Sequence, residues 1–419
     1  MPSTKTEYIP TATPPVPSID SLTRFSTFSR AGASRCPKTR IMMEKEPSSI
    51  RKRLKVTMGN RYMYSLDRLS SLPDPILHHI LSFLPTKRSV QTSILSRRWR
   101  HLWAHVPDID FDCYTDLELD DGKSFSDIIY RVMLQYKVQG MNNFRLIYNK
   151  NCGGGYQLET CITTALVRNV KHIYLSIHNI DWLPRCIFTY DSLVDLNLFE
   201  CSPIPMFVFV RLPALKKLQI VDIGYESVCL TNFLSGCPVL EELNLVSENV
   251  PPCIYRCISS PTLIKLYLNT TLWDSSHRET TYRLKIDAPA LRFLRIFDNL
   301  SRDVSFNLMP SLTEADVHLR HGCTPRRFMP CLQSSLLFLG SLCNVTRLQL
   351  ATGLIKASEQ ELQMVGYVLR NGKVLERVEL CTCPDFKLKT PDYIEDQFEA
   401  LQKIASYERG SDKCRVDFI

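Results

Sequence analysis

The side chains best placed for metal chemistry are two short cysteine spacings, Cys253-x3-Cys257 and Cys381-x-Cys383. A structural zinc site usually adds a second Cys or His set at matched spacing, and neither pair has one. The pair His78-His79 lies in a helix-like stretch and is expected to face solvent or a partner's rim rather than a metal. Sixteen cysteines are many for 419 residues, yet they are scattered. Several of them (Cys161, Cys186, Cys343) sit inside apolar stretches, where a free thiol behaves as a small hydrophobe. Thioester chemistry needs an activated thiol, and nothing marks one cysteine above the others. Gly153-Gly154-Gly155 is not followed by the Lys-Ser/Thr pair of a phosphate loop, so it reads as a turn. No His-Glu-x-x-His, Gly-x-Ser-x-Gly or Gly-x-x-x-x-Gly-Lys occurs. The expectation is a non-catalytic chain with no cofactor and no metal.

Charge must be located before it is interpreted. The formal net charge is +8, but residues 1–60 hold eleven Lys and Arg against four Asp and Glu, and the remaining 359 residues hold 40 against 39. Only the tail is basic, so phosphate-backbone binding by the folded part is not expected. The run Arg51-Lys52-Arg53-Leu54-Lys55 reads first as a solvated basic linker and second as a nuclear import signal. No secretory apolar region opens the chain and no run of 18 apolar residues occurs, so no membrane is expected. Reduced thiols then place the chain in nucleus and/or cytoplasm.

Residues 1–65 read as a disordered basic tail, with a turn-forming stretch from Pro10 to Ser18. Met58 leaves open a shorter product that starts there. From residue 66 the pattern changes. Ile76, Leu77, Ile80, Leu81 and Leu84 recur at helical spacing and form one apolar stripe. Pro73 and Pro75 suit the first turn of that helix, and Pro85 ends it. A second helix is expected over 87–95. A third is expected over 96–103 with Ser96 as N-cap and Trp99, Leu102 and Trp103 on one side. Helices of about ten residues are marginal alone, and a unit of about 45 residues is near the lower limit for unaided folding. Part of this apolar surface therefore needs a partner.

This segment resembles the F-box. Leu72-Pro73-Asp74-Pro75-Ile76-Leu77, with Ile80-Leu81-Ser82-Phe83-Leu84-Pro85-Thr86-Lys87, is similar to its first helix. Thr92-Ser93-Ile94-Leu95-Ser96-Arg97-Arg98-Trp99-Arg100-His101-Leu102-Trp103 is similar to its second half in the form common in plants. The resemblance implies a three-helix unit over 66–112 that docks on a Skp-type adaptor and, through it, a cullin scaffold. By position, the docking residues would be Leu72, Pro73, Ile76, Leu77, Ile80, Leu84, Leu95, Ser96, Trp99 and Trp103.

Residues 113–168 read as a link, with a helix over 126–134 and a strand over 144–148. A unit of the form apolar-x-x-apolar-x-apolar then begins at Val170, Leu193, Leu215, Leu240, Leu263, Leu291, Leu312, Val345 and Leu375, in steps of 23, 22, 25, 23, 28, 21, 33 and 30 residues. The early steps fit a leucine-rich repeat of about 20–29 residues. One short strand per unit cannot bury its apolar face alone; stacked units make a continuous core and a curved parallel sheet. The array is placed at 169–355. The side chains between the apolar ones (Asn197, Gln219, Asn244, Tyr267, Arg295, Asp316, Gln349) are polar, varied and hold no titratable cluster, which suits a protein target better than catalysis. The stretch 365–380, with 401–409 and 414–419, resembles the FBD module of plant F-box proteins, although Ser406-Tyr407 stands where that module often has Phe-Pro. It implies a helix and strand capping the array over 356–419. The expected architecture is therefore an α-β solenoid behind an N-terminal F-box. The expected role is the substrate receptor of a Skp–cullin–F-box ubiquitin ligase, the alternative being a non-degradative scaffold.

Overall fold

A computed structural model describes residues 68–116, 124–149, 155–178, 183–201, 204, 209–223, 227–247, 254–270, 282–298, 303–306, 309–319, 328–352, 359–382, 399 and 402–418. The basic tail, the run 51–55, Met58, Gly153-Gly154, Cys253 and Cys383 lie outside them. Asp67–Ile419 forms one compact unit.

The chain enters that unit through helix α1 (Asp74–Ser82). Pro73 stands at its N-cap in an extended conformation and Pro75 falls in its first turn, where no backbone donor is lost. Leu77 and Leu81 face inward. Pro85 separates α1 from α2 (Thr86–Gln91), and a 3-10 turn continues α2 over Thr92–Ile94. The expected third α-helix is instead a 3-10 helix, Trp99–His105, and Ser96 does not cap it. Tertiary bonds explain the tighter winding. The Arg98 guanidinium reaches back to Asp74 at 2.6 Å and to the Ser70 and Leu72 carbonyls, and Trp99 Nε1 donates to Ser70 Oγ at 2.7 Å. Short 3-10 segments serve as connectors of this kind.

Fifteen strands follow among the described residues: β1 (Asp108–Asp112), β2 (Asn143–Asn149), β3 (His172–His178), β4 (Asp195–Phe199), β5 (Lys217–Val221), β6 (Glu242–Ser247), β7 (Ile254–Ser259), β8 (Lys265–Thr270), β9 (Tyr282–Asp287), β10 (Phe293–Asp298), β11 (Asp303–Phe306), β12 (Glu314–Leu319), β13 (Arg347–Thr352), β14 (Arg377–Thr382) and β15 (Arg415–Phe418). Twelve form one open parallel sheet in the order β1-β2-β3-β4-β5-β6-β8-β10-β12-β13-β14-β15; β11, β9 and β7 form a second, three-stranded sheet. Register partners Tyr174, Asn197, Gln219, Asn244, Tyr267, Arg295, Asp316, Gln349 and Glu379 step by the same 23, 22, 25, 23, 28, 21, 33 and 30 residues that the sequence shows. The apolar alternates of each strand, such as Leu196 and Leu198 or Leu243 and Leu245, are fully buried in one continuous cluster. Backbone bonds between repeats recur with the period: Lys216 donates to Val194, Glu241 to Lys216, Ile264 to Glu241 and Arg292 to Ile264.

The sheet begins earlier than the repeats expected at 169–355. The region expected as a link contributes α3 (Phe125–Gln135), β2 and α4 (Gly155–Val167). At the other end, α5 (Glu359–Asn371) leads into β14, and a helical turn at 402–405 leads into β15. Gly410 makes this closure possible: its N–H donates to Leu369 O at 2.8 Å, and a Cβ there would lie 2.4 Å from Arg370 O. Tyr407, at the position that departs from the FBD pattern, packs its ring over Gly366. Among the described residues, no helix is long and apolar enough to cross a membrane.

Candidate functional site

Two surfaces stand out, and they are opposite in character. The first lies on the N-terminal helices. Leu77, Leu81, Trp99, Leu102 and Val106 form a small core of their own, with Leu72 and Ile80 packed against it. That corrects part of the expected docking set. Leu77 is 0% exposed, Trp99 3% and Trp103 6%, so these side chains pack inside the unit and are not part of its exposed surface. Leu72 and Ile80 are half-buried, and Pro73, Ile76, Leu84, Leu95 and Ser96 are exposed. The structure adds Leu69, Phe83 and Ile94, all exposed, which the sequence reading passed over. Phe83 falls just past α1, two residues after the buried Leu81, and Ile94 ends the 3-10 turn, where a helical stripe gives no signal.

His78 is half-buried and stacks on His105 with 5.3 Å between ring centroids. Burial, then the neighbouring His105, hold its pKa below the ordinary histidine value, against a smaller opposing pull from Asp74. His79 sets its ring edge-on to Phe83. Among the described residues no group of three His, Cys, Asp or Glu is placed to hold a metal. Burial pushes the Cys161 and Cys237 thiols up to about 12 and Cys201 to about 11, which removes thiolate character. Cys161 is buried and Cys186 half-buried, as an apolar setting implies, but Cys343 is exposed.

The second surface is the outward face of the twelve-stranded sheet. The seven residues chosen from sequence, Asn197, Gln219, Asn244, Tyr267, Arg295, Asp316 and Gln349, form one unbroken row, one per strand, each in register with the next. The row extends through Tyr174, Arg145 and Asp110 on one side and Glu379 and Asp417 on the other. Two residues along each strand lies a parallel row that includes Phe199, Val221, Val246, Asn269, Phe297 and His318. It is half-buried and largely apolar. The period of two would have found it; a search confined to the position between the two buried residues did not.

Two arginines anchor this face. Arg145 places Nη1 2.6 Å from Asp110 and Nη2 3.5 Å from Asp112, with its guanidinium over the Tyr174 ring. Burial raises the Asp110 pKa, an effect that Arg145 opposes and Asp112 reinforces. Arg295 uses Nε, 2.6 Å from Asp316 Oδ2, and lies over the Tyr267 and Phe293 rings. His318 Nε2 holds the other Asp316 oxygen at 2.7 Å, and the His318 ring stacks on Phe297 at 3.8 Å. Burial pushes Asp316 up, but the His318 hydrogen bond and the His318 and Arg295 charges outweigh it and leave the carboxyl below its ordinary range.

Comparison with known proteins matches the two regions on which these surfaces lie. An F-box domain model matches residues 69–109. A family model described as FBD-associated F-box protein At5g56370, LRR repeats, matches residues 161–315. The chain is 33% identical over 261 residues to F-box/FBD/LRR-repeat protein At5g22660 of Arabidopsis thaliana, covering 60% of this chain and 56% of that protein. It is 34% identical over 283 residues to the putative FBD-associated F-box protein At5g56440 of the same plant, covering 64% and 63%. It is 34% identical over 268 residues to F-box/LRR-repeat protein At4g14103, also of Arabidopsis, covering 61% and 68%. The chain thus spans 56% and 63% of the length of the first two relatives.

Proposed function

This chain belongs to the plant-type F-box/leucine-rich-repeat family, which has FBD-bearing members, and on that premise we propose that it is the substrate receptor of a Skp–cullin–F-box ubiquitin ligase. The observation that carries the proposal is the set of large apolar side chains that the N-terminal unit leaves outside although it has a core of its own. Phe83 is 75% exposed, Ile94 89% and Leu95 61%, with Ile76, Leu84 and Leu69 beside them in the sequence. Fully burying one such side chain is worth roughly 1.5–3 kcal/mol, so a partner that covers several gains enough to bind. A Skp-type adaptor is that partner in this reading, with the cullin reached through it.

The strand face then holds the target protein. Its polar row is interleaved with aromatic rings, the composition of interface hot spots rather than of a catalytic centre. No step of the chemistry runs through this chain: it acts by holding a target near the ligase's ubiquitin-charged partner, which raises the effective concentration.

The test is capture of recombinant Skp-type adaptor by the full chain, followed by turnover of proteins bound to the strand face. Wild type is expected to retain the adaptor and Ile76→Asp/Leu95→Asp to lose it, because two charges would be buried unpaired. Undiminished capture by that double variant would overturn the docking assignment. Capture without F-box-dependent turnover would make the chain a scaffold instead.

A further inference from the structure

The two arginines of the strand face spend their donors differently. Arg145 commits both terminal nitrogens, one to Asp110 and one to Asp112. Arg295 commits Nε to Asp316, and among the described residues nothing takes its two terminal nitrogens. The terminal pair of a guanidinium is the planar fork that matches a carboxylate with two parallel hydrogen bonds.

The surroundings of Arg295 fix that fork in place. Asp316, 4% exposed, holds it from below, and the Tyr267 and Phe293 rings flank it at 5.9 and 5.8 Å. Neighbouring carboxylates do not compete for it. Glu242 is engaged by Lys217 at 3.4 Å and Glu314 by Arg347 at 3.4 Å, and Asp316 already accepts from Arg295 Nε through Oδ2. Lys265, in register with Phe293, is a second cation with no described partner. On β8 and β10 together, Lys265 and Arg295 outnumber the one carboxylate, Asp298. One further group is unsatisfied there: the Asn269 Oδ1 is buried without a hydrogen-bond donor, on β8 and in register with Phe297. A buried acceptor left unmade costs about 1–3 kcal/mol, and a peptide N–H would supply the donor.

We propose that Arg295, with Lys265 and Asn269, forms a receptor for an acidic residue of the target protein, the carboxylate on the Arg295 fork and a neighbouring main-chain N–H on Asn269. A free anion satisfies only the first of these groups, and an apolar segment neither, so the occupant is a peptide segment carrying Asp or Glu. Apolar side chains beside that residue lie on Phe293 and Phe297. The proposal rests on the strand face being the target-binding surface.

A phage-displayed library of random linear peptides, selected in parallel on the full wild-type chain and on Arg295→Gln, both held by an N-terminal tag, tests it. This readout does not pass through the adaptor, so failure of docking on the N-terminal helices leaves it intact. Wild type is expected to enrich peptides with an acidic residue at one fixed position beside an aromatic or aliphatic one. Arg295→Gln is expected to lose that enrichment, and the exposed control Arg211→Gln to keep it. A selected peptide is expected to bind Arg295→Lys and its own acid-to-amide version about ten- to hundredfold more weakly than wild type binds the original. Because Arg295→Lys retains the charge and its thermal transition can be checked, it separates lost recognition from lost folding. Pools without acidic enrichment, no selected peptide, or the same pool from wild type and Arg295→Gln each overturn the assignment.

Discussion

The N-terminal helices and the strand array solve the same problem, burial of leucine, in opposite ways. The array stacks its strands so that each buried leucine meets the next, and one cluster runs from Ile109 to Cys414. Its outer face then carries a polar row from Asn197 to Gln349 beside a half-buried, largely apolar one. The helical unit has a core of five residues and leaves Ile76, Phe83, Ile94 and Leu95 in water. Stacking supplies neighbours from within the chain; a unit with no second copy must find them elsewhere. The contrast teaches that exposure of large apolar side chains is informative here because it is concentrated: Leu69, Ile76, Phe83, Leu84, Ile94 and Leu95 fall within 27 residues, whereas exposed ones elsewhere, such as Leu134, Val167, Phe209 and Leu337, are scattered.

The adjacent pair Ile76 and Leu77 sharpens that contrast most. Ile76 is 46% exposed and Leu77 is 0% exposed. Ile76→Asp combined with Leu95→Asp is expected to weaken adaptor binding at least about 100-fold, about 2.7 kcal/mol, while the thermal midpoint stays near wild type. Leu77→Ala is expected to do the reverse. It costs about 2–5 kcal/mol of stability, and the fraction that remains folded binds the adaptor normally; urea titration and a pull-down read the two effects separately. Leu266→Ala in the middle of the array is expected to cost a similar 2–5 kcal/mol and to leave adaptor binding unchanged. Loss of binding there would break the division between the two regions.

Smaller effects distinguish the two arginine nodes. Asp316→Asn is expected to cost about 1–3 kcal/mol at neutral pH, because a buried charge-assisted pair is lost. The Asp316 pKa is depressed in the folded state, so its contribution is complete above the ordinary carboxylate value and disappears as the pH falls through the lower folded one. The stability gap between wild type and Asp316→Asn should therefore close below about pH 4. Asp110 has the opposite sign: its folded pKa is raised, so its ionised form opposes folding at neutral pH and acidification relieves the strain. The pH dependence of Asp110→Asn should run the other way. Smallest of all, Asn197→Ala and Gln219→Ala, half-buried on the outer face, should change stability by no more than about 0.5 kcal/mol.

Much of this architecture was legible because a repeat announces itself. The steps between Val170 and Leu375 are the register steps of the sheet. The first strand escaped notice, and the second was read as a strand but not as part of the repeat, although Val106-x-x-Ile109-x-Phe111 and Met141-x-x-Phe144-x-Leu146 carry the same apolar spacing. Both stretches lack leucine at the first two positions, and long helical insertions, such as α3 between β1 and β2, stretch the period. The third helix failed for a different reason. Arg98 and Trp99 bond to Ser70, Leu72 and Asp74, some 24–29 residues away, and that tertiary pull overrides the local preference for an α-helix. Leu77, Trp99 and Trp103 entered the docking set by position in the F-box resemblance, which carries over residue identity but not burial in this chain.

The central claim is that the exposed cap of the N-terminal helices is an apolar docking surface. Calorimetric titration of the full chain with Skp-type adaptor over a range of temperatures tests it most directly. Association with a distinctly negative heat-capacity change, lost in Ile76→Asp/Leu95→Asp, is the predicted result. Equal affinity in wild type and double variant, or binding with no heat-capacity change, would contradict it.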